Sequence, residues 1–438
     1  MKSESAFAKD NLYIRDTTNH FFAYICGMKS SFITFAYIIP LWISMISLQI
    51  RAEETPAKRQ DSIRISLLTC AAGEEIYSLF GHTAIRYENK AKGIDVVYNY
   101  GVFDFDTPHF AFRFALGETD YQLARNDFRH FALGYASEGR KVWQQVLDLT
   151  DTEKRRLIDL LEINYRPENR IYRYNFFYDN CATRPRDQIE RATEGRVQYA
   201  EDMQTTDTGV TFRHLLHRYS KGHPWSRFSM DLCMGSHADE PITRRTMQFV
   251  PFNLQTSFGQ ATITDTTGHS RALVKETVVL QPMAAPQLSE GGITPLQCAV
   301  LLWVTITLLT TYGLWKKKSL WYIDLLLFGC AGIAGCIPTF LALFSQHPAV
   351  SPNYLLFILH PFHLLCLPWM LKRVCKRKRS VYMMANTAVL ILFIASWSLI
   401  PQHLPLPILF VALCLLERSM SNLIISKPSQ TRLTTIRP

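Results

Sequence analysis

Long apolar runs with almost no charge dominate the sequence after about residue 295. Four of these runs cover about residues 296–315, 320–344, 353–371 and 381–400. Each is long enough to cross a hydrocarbon core roughly 30 Å thick. A fifth run, at about residues 404–425, has a purely apolar stretch of only about 13 residues before Glu417, which is an ambiguous length for a span. The sequence therefore predicts an all-α membrane domain of four or five helices.

Basic residues between the runs predict how this domain is oriented. Residues 316–318 and 372–379 are rich in Lys and Arg and should stay in the cytoplasm, whereas the loops SQHPAVSPN and PQHLPLP carry neither and should face outward. The first span then runs from outside to inside, so the chain before it is exported. From Gly291 onward there are 13 Lys/Arg and 2 Asp/Glu, which accounts for the whole net charge of +10. Because the earlier part is nearly neutral, we expect no nucleic-acid partner.

The start of the chain resembles targeting sequence. Met28-Lys29 precedes an apolar core and a small-residue exit near Ser47 or Ala52, which is typical of a secretory signal peptide. Met28 is then the expected true start, and an uncleaved anchor helix is the alternative. We accordingly expect three parts: an N-terminal extension with signal peptide or anchor at residues 1–52, an exported domain at 53–290 and a membrane domain at 291–438.

The exported part has a mixed α/β pattern. The alternating stretches RISLLTC, HTAIRY, DVVYNY and KVWQQVLDL predict strands. Thr150 and Glu153 form a capping box that opens the helix DTEKRRLIDLLEIN, and TGVTFRHLLHRYS and MQFVPFNLQTSF predict two more helices. The stretch ATITDTTGHSRALVKETVVL predicts a hairpin around Gly268. We therefore expect an α+β domain.

Three cysteines remain in the exported part, namely Cys70, Cys181 and Cys233. An odd number in an oxidising compartment leaves at least one thiol free or paired outside the chain. A Cys70 to Cys233 bridge with Cys181 free fits the sequence, and so does the absence of any bridge.

Cys181 lies at the predicted start of a helix. Pro185 lacks a backbone N–H and is tolerated only near the first helical turn, so a helix over RPRDQIERAT puts Cys181 at or just before its first residue. Unpaired backbone N–H groups there, together with Arg184 and Arg186, should favour the thiolate, and the same N–H groups could hold an oxyanion. An inert buried thiol is the alternative, because that is the usual state of a free cysteine.

A reactive thiol needs a base, and His82 in SLFGHTAIR is the candidate. It lies on a predicted strand that Gly81 introduces, 99 residues before Cys181, and such pairs meet through the fold. A histidine that is merely hydrogen-bonded within its strand is the alternative. We predict that Phe177 and Tyr178 form an apolar wall beside the thiol, with plain core packing as the alternative.

Four blocks of the sequence resemble the Lnb N-terminal periplasmic domain family: GEEIYSLFGHTAIRY, VVYNYGVFDF, NFFYDNCATRPRD and MDLCMGSHADEPITRRTMQFVP. They run in this order from about residue 60 to 255, and a tail with several spans follows, as in Lnb proteins. The stretch HPAVSPNYLLFILHP is similar to the motif of that tail. A histidine on a strand followed by Asn-Cys at a helix start also resembles the circularly permuted, papain-like folds of the NlpC and lecithin retinol acyltransferase type.

The resemblance implies a lipoprotein N-acyltransferase that acylates the α-amine of a diacylglyceryl cysteine through a thioester. It implies membrane phospholipid as the acyl donor, a diacylated lipoprotein as the acceptor and no cofactor. It also implies a multi-pass protein of the bacterial inner membrane with its catalytic domain in the periplasm. The catalytic pair of the family matches Cys181 and His82. In the permuted folds a polar residue on the next strand orients the histidine. We predict Asn99 for this role, with Asp104 as the second choice.

Polar residues within the predicted spans are further candidates. Asn353, His360 and His363 recur at helical spacing and could line a groove for acyl chains or head groups, with hydrogen bonding between helices as the alternative. Together with Phe177, Tyr178 and Arg184, they complete our predicted substrate-binding set. We expect no metal site, since the sequence has no clustered ligand spacing for zinc.

Two other functions fit the sequence. A periplasmic cysteine peptidase or amidase that acts on the cell wall would use the same pair of residues, because one scaffold hosts many reactions. The long tail argues against it, since a soluble wall substrate does not require several spans. A membrane-anchored binding module without enzymatic activity would leave Cys181 with a structural role.

Overall fold

The computed structural model describes residues 63–104, 106–206, 208–281 and 292–426. They form a sheet domain, which ends at residue 281, and a helical bundle, which begins at residue 292. This is the predicted fold class, an α+β domain followed by a helical membrane region, and it is confirmed. The predicted signal peptide and both predicted domain boundaries lie outside the described residues.

A seven-stranded antiparallel sheet forms the centre of the sheet domain. Its strands are β1 (Ile63–Cys70), β2 (His82–Asn89), β3 (Ile94–Val102), β4 (Asp120–Asp127), β5 (Val142–Leu147), β6 (Ile171–Arg173) and β10 (Val274–Gln281). In space they follow the order β10-β5-β1-β2-β3-β4-β6, so β2 and β3 are neighbours near the middle. The last residue of β1, Cys70, pairs with the first residue of β2, His82.

The four predicted strands are confirmed as β1, β2, β3 and β5. β1 is buried on both faces along most of its length. The predicted hairpin around Gly268 forms as β8 (Thr262–Thr264) and β9 (Ser270–Ala272), which join β7 (Val197–Gln198) in a second, three-stranded sheet. The last part of that stretch is not in the hairpin. It forms β10, which pairs with β5 in the large sheet.

Eight helices complete the described part of the sheet domain. They are α1 (Phe110–Leu116), α2 (Phe128–Ser137), α3 (Asp151–Tyr165), α4 (Thr183–Ala192), α5 (Phe212–Tyr219), α6 (Pro224–Cys233), α7 (Arg244–Met247) and α8 (Pro251–Gln260). The predicted capping box opens α3, with both of its hydrogen bonds formed. The stretch MQFVPFNLQTSF, predicted as one helix, contains the end of α7 and most of α8. Pro251 begins the second helix because it cannot donate to the turn before it.

The helical bundle contains α9 (Pro295–Trp315), α10 (Trp321–Phe344), α11 (Phe362–Cys375), α12 (Val381–Ala395) and α13 (Leu406–Ile425). Four segments are long and apolar enough to cross a membrane: α9, α10, the segment Tyr354–Cys375 and α13. The run of ambiguous length is therefore a full helix of 20 residues. The predicted span at 381–400 contains a shorter helix of 15 residues, α12, followed by a 3-10 turn.

The direction of α13 shows that α12 crosses the bundle. The Trp303 ring on α9 lies 5.6 Å from the Phe410 ring, and further along both helices Arg418 donates to the hydroxyl of Thr310. Helices α9 and α13 are therefore parallel. After α9, helix α10 runs back across the bundle and the segment Tyr354–Cys375 runs in the direction of α9 again. The chain must cross once more before α13 can run parallel to α9, and α12 makes that crossing. The described residues therefore cross the bundle five times.

The two glycines Gly332 and Gly335 bring the chain before α11 directly onto α10. A Cβ at Gly335 would lie 2.4 Å from the backbone nitrogen of His360, and one at Gly332 would lie 2.6 Å from Cγ of Leu364. Real side chains do not tolerate such distances, so the close packing of α10 on α11 depends on these glycines.

One end of the bundle docks on the sheet domain through backbone and amide hydrogen bonds. Asn353 donates to the carbonyl of Leu232 at 3.0 Å, and Gln402 donates to the carbonyl of Met234 at 3.0 Å. The backbone N–H of Gly235 donates to the carbonyl of residue 349 at 2.8 Å. This end carries the two loops that were predicted to face outward, so the sheet domain lies on the predicted outer side.

Candidate active site

Asn180 fixes the backbone on which Cys181 lies. Its side-chain oxygen accepts hydrogen bonds from the N–H groups of Ala182 and Thr183, at 2.8 and 3.0 Å, at the start of α4. Its amide nitrogen donates to the carbonyls of Phe176 and Phe249, both at 2.9 Å. Cys181 is therefore held two residues before α4, which confirms the predicted position at a helix start. An Asn before a helix start is a usual cap, so this role of Asn180 agrees with its place in the sequence.

His82 is the first residue of β2 and is held by Asn99 of the neighbouring strand. Its Nε2 lies 2.5 Å from the side-chain oxygen of Asn99, as expected for the predicted orienting residue. An amide oxygen can only accept, so Nε2 carries the hydrogen and Nδ1 keeps its lone pair. Burial lowers the pKa of His82 to about 4, against the opposing effect of the Asn99 bond. The imidazole is therefore neutral at pH 7 and can accept a proton.

The sulfur of Cys181 lies beside the start of β2. The backbone N–H groups of Thr83 and of Cys181 itself face it, and Thr83 directly follows His82. Among the described residues, the thiol and the imidazole make no hydrogen bond with each other. Burial raises the pKa of the Cys181 thiol to about 11, despite the two N–H groups. The expected stabilised thiolate is therefore wrong, because desolvation outweighs the helix start.

The two arginines expected to favour the thiolate have other partners. Arg184 binds the carboxylate of Asp179 through two hydrogen bonds of 2.6 and 2.7 Å. Arg186 binds the carboxylate of Asp187. Both guanidinium charges are thus neutralised within the segment around the helix start. A direct contact of Arg184 with substrate stays a prediction.

Gly101, on β3, leaves space in front of Cys181. Its φ of +88° is a conformation that side chains other than glycine rarely adopt. A Cβ at this position would lie only 3.3 Å from Cβ of Cys181. A side chain at residue 101 would therefore crowd the sulfur, and the glycine keeps this side of the thiol open.

Aromatic side chains lie around the site. Phe177 is buried in an aromatic cluster, with its ring 4.0 Å from that of Phe212. Tyr178 is 53 % exposed. The wall that these two residues were predicted to form beside the thiol stays a prediction. Three tyrosines lie near the sulfur. Burial raises the pKa values of Tyr121, Tyr172 and Tyr174, and negative charge on Cys181 would raise them further.

A polar cavity of about 330 Å³ lies beside Asn99. Its charged and polar lining comes from Asn99, Asn126, His130, Tyr135, Glu138 and Arg140. Arg140 also donates twice to the carbonyl of Ala71, which holds its guanidinium in place. Nothing in the sequence patterns indicated this cavity, since its residues come from β3, β4, α2 and the loop after α2.

The structure also bears on three further points raised by the sequence. Cys70 and Cys233 are both free, so the alternative without a bridge is correct. Asp104, the second choice after Asn99 for orienting His82, accepts a hydrogen bond from the N–H of Asp106 in its own loop. The third point concerns the polar residues of the spans.

Asn353, His360 and His363 do not share one helical face. Asn353 caps the 3-10 turn Tyr354–Phe357 and binds the sheet domain, and Pro361 separates that turn from α11. The rings of His360 and His363 stack at 3.9 Å, and His363 bonds with the hydroxyl of Tyr382. The alternative of hydrogen bonding between segments is therefore correct for Asn353 and His363. A substrate contact of His360 stays a prediction.

Two protein-family models match the chain. A model of the Lnb N-terminal periplasmic domain matches residues 55–218, and a model of the Lnb transmembrane domain matches residues 287–430. The chain belongs to the Lnb family. It is thus a multi-pass membrane protein with a periplasmic domain, and the Lnb domains point to membrane-bound lipoprotein processing by an enzyme. No curated protein and no solved structure matches it, so the likeness to permuted NlpC folds stays a prediction.

Proposed function

We propose that this Lnb protein is a lipoprotein N-acyltransferase of the bacterial inner membrane. It moves an acyl chain from a phospholipid to Cys181 and then to the α-amine of a diacylglyceryl-cysteine lipoprotein. One observation carries the proposal: the thiol of Cys181 faces the backbone directly after His82, whose ring is fixed by Asn99. The membership of both domains in the Lnb family supports the choice of substrate class.

The first half of the reaction forms a thioester. Nδ1 of His82 takes the proton from Cys181 as the sulfur attacks an ester carbonyl of the phospholipid. The carbonyl oxygen becomes an oxyanion, the bond to the glycerol oxygen breaks, and His82 returns the proton to that oxygen. A lysophospholipid leaves. The neutral histidine suits this role, because its pKa of about 4 leaves it unprotonated at the start of the cycle.

The second half transfers the acyl chain to nitrogen. The neutral α-amine of the lipoprotein cysteine attacks the thioester carbonyl, His82 takes the proton of that amine, and the thiol of Cys181 is regenerated. Water must not compete with the amine. The buried tyrosines around Cys181 help here, because they limit the access of water to the sulfur.

Contacts between α1 and the outer end of α10 support a phospholipid substrate. The Phe112 ring lies 5.4 Å from that of Phe340, and the carbonyl of Phe114 contacts the His347 side chain at 2.7 Å. Phe112 is 56 % exposed and Phe344 is 62 % exposed. Exposed aromatic rings continuous with a span suit the head-group region of a bilayer. Because α1 follows shortly after β3, lipid in the outer leaflet lies near the strand that carries Asn99.

An acyl-transfer assay tests the proposed function. Purified protein in lipid nanodiscs would receive phospholipid with a labelled acyl chain and a synthetic diacylated lipopeptide with a free α-amine. We expect label on the lipopeptide amine, loss of transfer in Cys181→Ser and full transfer in Cys233→Ser, whose thiol is also half-buried but lies on α6. Release of free fatty acid without transfer, or cleavage of a cell-wall peptide, would contradict the proposal and favour the hydrolase alternative.

A further inference from the structure

The hydroxyl of Tyr172 is buried without a hydrogen-bond partner among the described residues. Tyr172 lies on β6 and is 7 % exposed. A buried donor without a partner costs roughly 1–3 kcal/mol, so such groups are rare in native proteins. The neighbouring tyrosines of the sheet do not share this property. Tyr98 donates to Glu162, and Tyr100 donates to Asn164.

This hydroxyl points to the open space beside Cys181. A Cβ on Gly101 would lie 4.0 Å from the Tyr172 hydroxyl oxygen, 4.0 Å from the backbone nitrogen of Cys181 and 3.3 Å from Cβ of Cys181. The space that the glycine leaves open is therefore bounded by the nucleophilic residue and by two hydrogen-bond donors. The N–H of Cys181 has no carbonyl acceptor in the part of the chain that the structure describes.

One ion-paired side chain holds the Tyr172 ring. The guanidinium of Arg184 lies over it at 3.4 Å from its centre, and Arg184 is itself fixed by two hydrogen bonds to Asp179. Strand pairing adds a second restraint, since Tyr172 is paired with Tyr121 on β4. The hydroxyl cannot easily turn toward another acceptor, so its position next to Cys181 is preorganised.

We propose that the Tyr172 hydroxyl and the Cys181 N–H form the oxyanion-binding site of this enzyme. The inference rests on the proposed function and adds to it the donors that stabilise the tetrahedral intermediates. When the Cys181 sulfur attacks the ester carbonyl, the C=O electron pair moves to oxygen, and that O⁻ accepts a hydrogen bond from each donor. The pair returns when the glycerol oxygen leaves. Tyr172 keeps its proton throughout, so it is a donor and not a general acid.

The protonation state of Tyr172 fits this role. Burial raises its pKa well above the ordinary value for tyrosine, and negative charge on Cys181 acts in the same direction. The hydroxyl therefore remains a donor over the whole range in which the enzyme would work. A substrate oxygen would supply the acceptor that the hydroxyl otherwise lacks.

Tyr172→Phe tests the inference, with Tyr100→Phe as the matched control. Single-turnover acylation of Cys181 by labelled phospholipid is measured for both variants and for wild type. Removing one oxyanion donor typically slows the chemical step about 10²–10³-fold, so we expect a loss of about this size for Tyr172→Phe without a rise in KM. Tyr100→Phe should stay within about tenfold of wild type, since the Tyr100 hydroxyl already donates to Asn164 and this bond is of ordinary strength.

A second measurement distinguishes oxyanion binding from a merely structural role. Alkylation of Cys181 by iodoacetamide uses the same sulfur but forms no oxyanion, so its rate should be unchanged in Tyr172→Phe. The unfolding temperature should be equal or higher, because the variant removes an unpaired buried hydroxyl. Acylation at the wild-type rate, or a parallel loss of acylation and alkylation, would overturn the inference. If wild type itself forms no acyl-enzyme, the proposed function fails before this inference is reached.

Discussion

Replacing Asn99 tests the orientation of His82 most sharply. In Asn99→Ala the imidazole loses the oxygen that lies 2.5 Å from its Nε2. A partly buried donor left without a partner costs roughly 1–3 kcal/mol, and because each 1.4 kcal/mol is a factor of ten, acylation of Cys181 should slow roughly 5- to 150-fold. The released ring can also rotate or change tautomer, which misdirects the Nδ1 lone pair that the proposed reaction uses.

Asn99→Asp keeps an acceptor but adds a negative charge. The carboxylate stabilises the imidazolium, so it should raise the pKa of His82 from about 4 toward or above its ordinary value. The sign follows directly: a base with a higher pKa is protonated, and therefore inactive, over a wider acidic range. We expect the acidic limb of the acylation rate to move to higher pH in Asn99→Asp and to lower pH in Asn99→Ala, since the Asn99 bond itself raises this pKa.

The assay is the single-turnover rate of Cys181 acylation as a function of pH, with thermal unfolding measured on the same samples. Wild type should show its acidic limb near pH 4, where His82 titrates. If both variants fold normally and the acidic limb of their pH–rate profiles does not move, this account of His82 is refuted. A fully active Asn99→Ala would refute it as well. A loss of folding in Asn99→Ala would leave Asn99→Asp, which retains the hydrogen bond, as the deciding variant.

Three further predictions concern the thiol, the bundle and the domain contact. Because burial raises the pKa of Cys181 to about 11, its alkylation should speed up about tenfold per pH unit through neutral pH, and a plateau beginning near pH 5 would contradict this. Gly335→Ala should destabilise the bundle by ~1–3 kcal/mol in thermal unfolding. Gly329→Ala should not, because the nearest atom to a Cβ at that position lies 3.9 Å away. Equal effects of the two substitutions would contradict the packing argument. Arg213→Met removes the ion pairs of Arg213 with Asp231 and Asp239, which keep their contacts with His217 and with the His403 N–H, and it should cost ~3–5 kcal/mol, against under ~1 kcal/mol for the exposed Arg227→Met. Wild-type stability of Arg213→Met would be the contrary result.

Local sequence patterns predicted the parts of the fold that depend on local chemistry. Strands β1, β2, β3 and β5 were predicted from the alternation of apolar and polar residues along each segment, and the capping box at Thr150 uses residues only three apart. Strand β4 was not predicted from the sequence. Its sequence DYQLARND alternates weakly and follows a turn at Gly117, so its strand form depends on pairing with β3 and β6.

Pairing between distant residues explains why the sequence left the fifth apolar run ambiguous. Glu417 and Arg418 interrupt the run, so by length alone it was ambiguous. In the bundle Glu417 accepts hydrogen bonds from Trp303 and Thr307, and Arg418 forms a buried ion pair with Asp324. Charges satisfied in this way no longer prevent a helix from crossing the membrane.

The proposed reacting groups could be predicted from the sequence, but the residues that support them could not. Cys181 and His82 stand out by residue type and, for Cys181, by the helix start, whereas Asn99 follows from the resemblance to the permuted folds, in which a polar residue on the next strand orients the histidine. The roles of Gly101 and Tyr172 depend on distances between β3, β6 and the segment before α4, which no local pattern records. The expected thiolate failed because burial, a property of the whole fold, decides the pKa of Cys181.

Mass spectrometry of the acyl-enzyme tests the central claim most directly. Wild-type protein would be incubated with phospholipid in the absence of a lipoprotein acceptor and then digested. We expect an acyl mass on the peptide that carries Cys181, its removal by neutral hydroxylamine as for a thioester, and little or no adduct in His82→Ala. Wild-type protein that stays unmodified at Cys181, or that carries a hydroxylamine-resistant acyl group on another residue, would contradict the account.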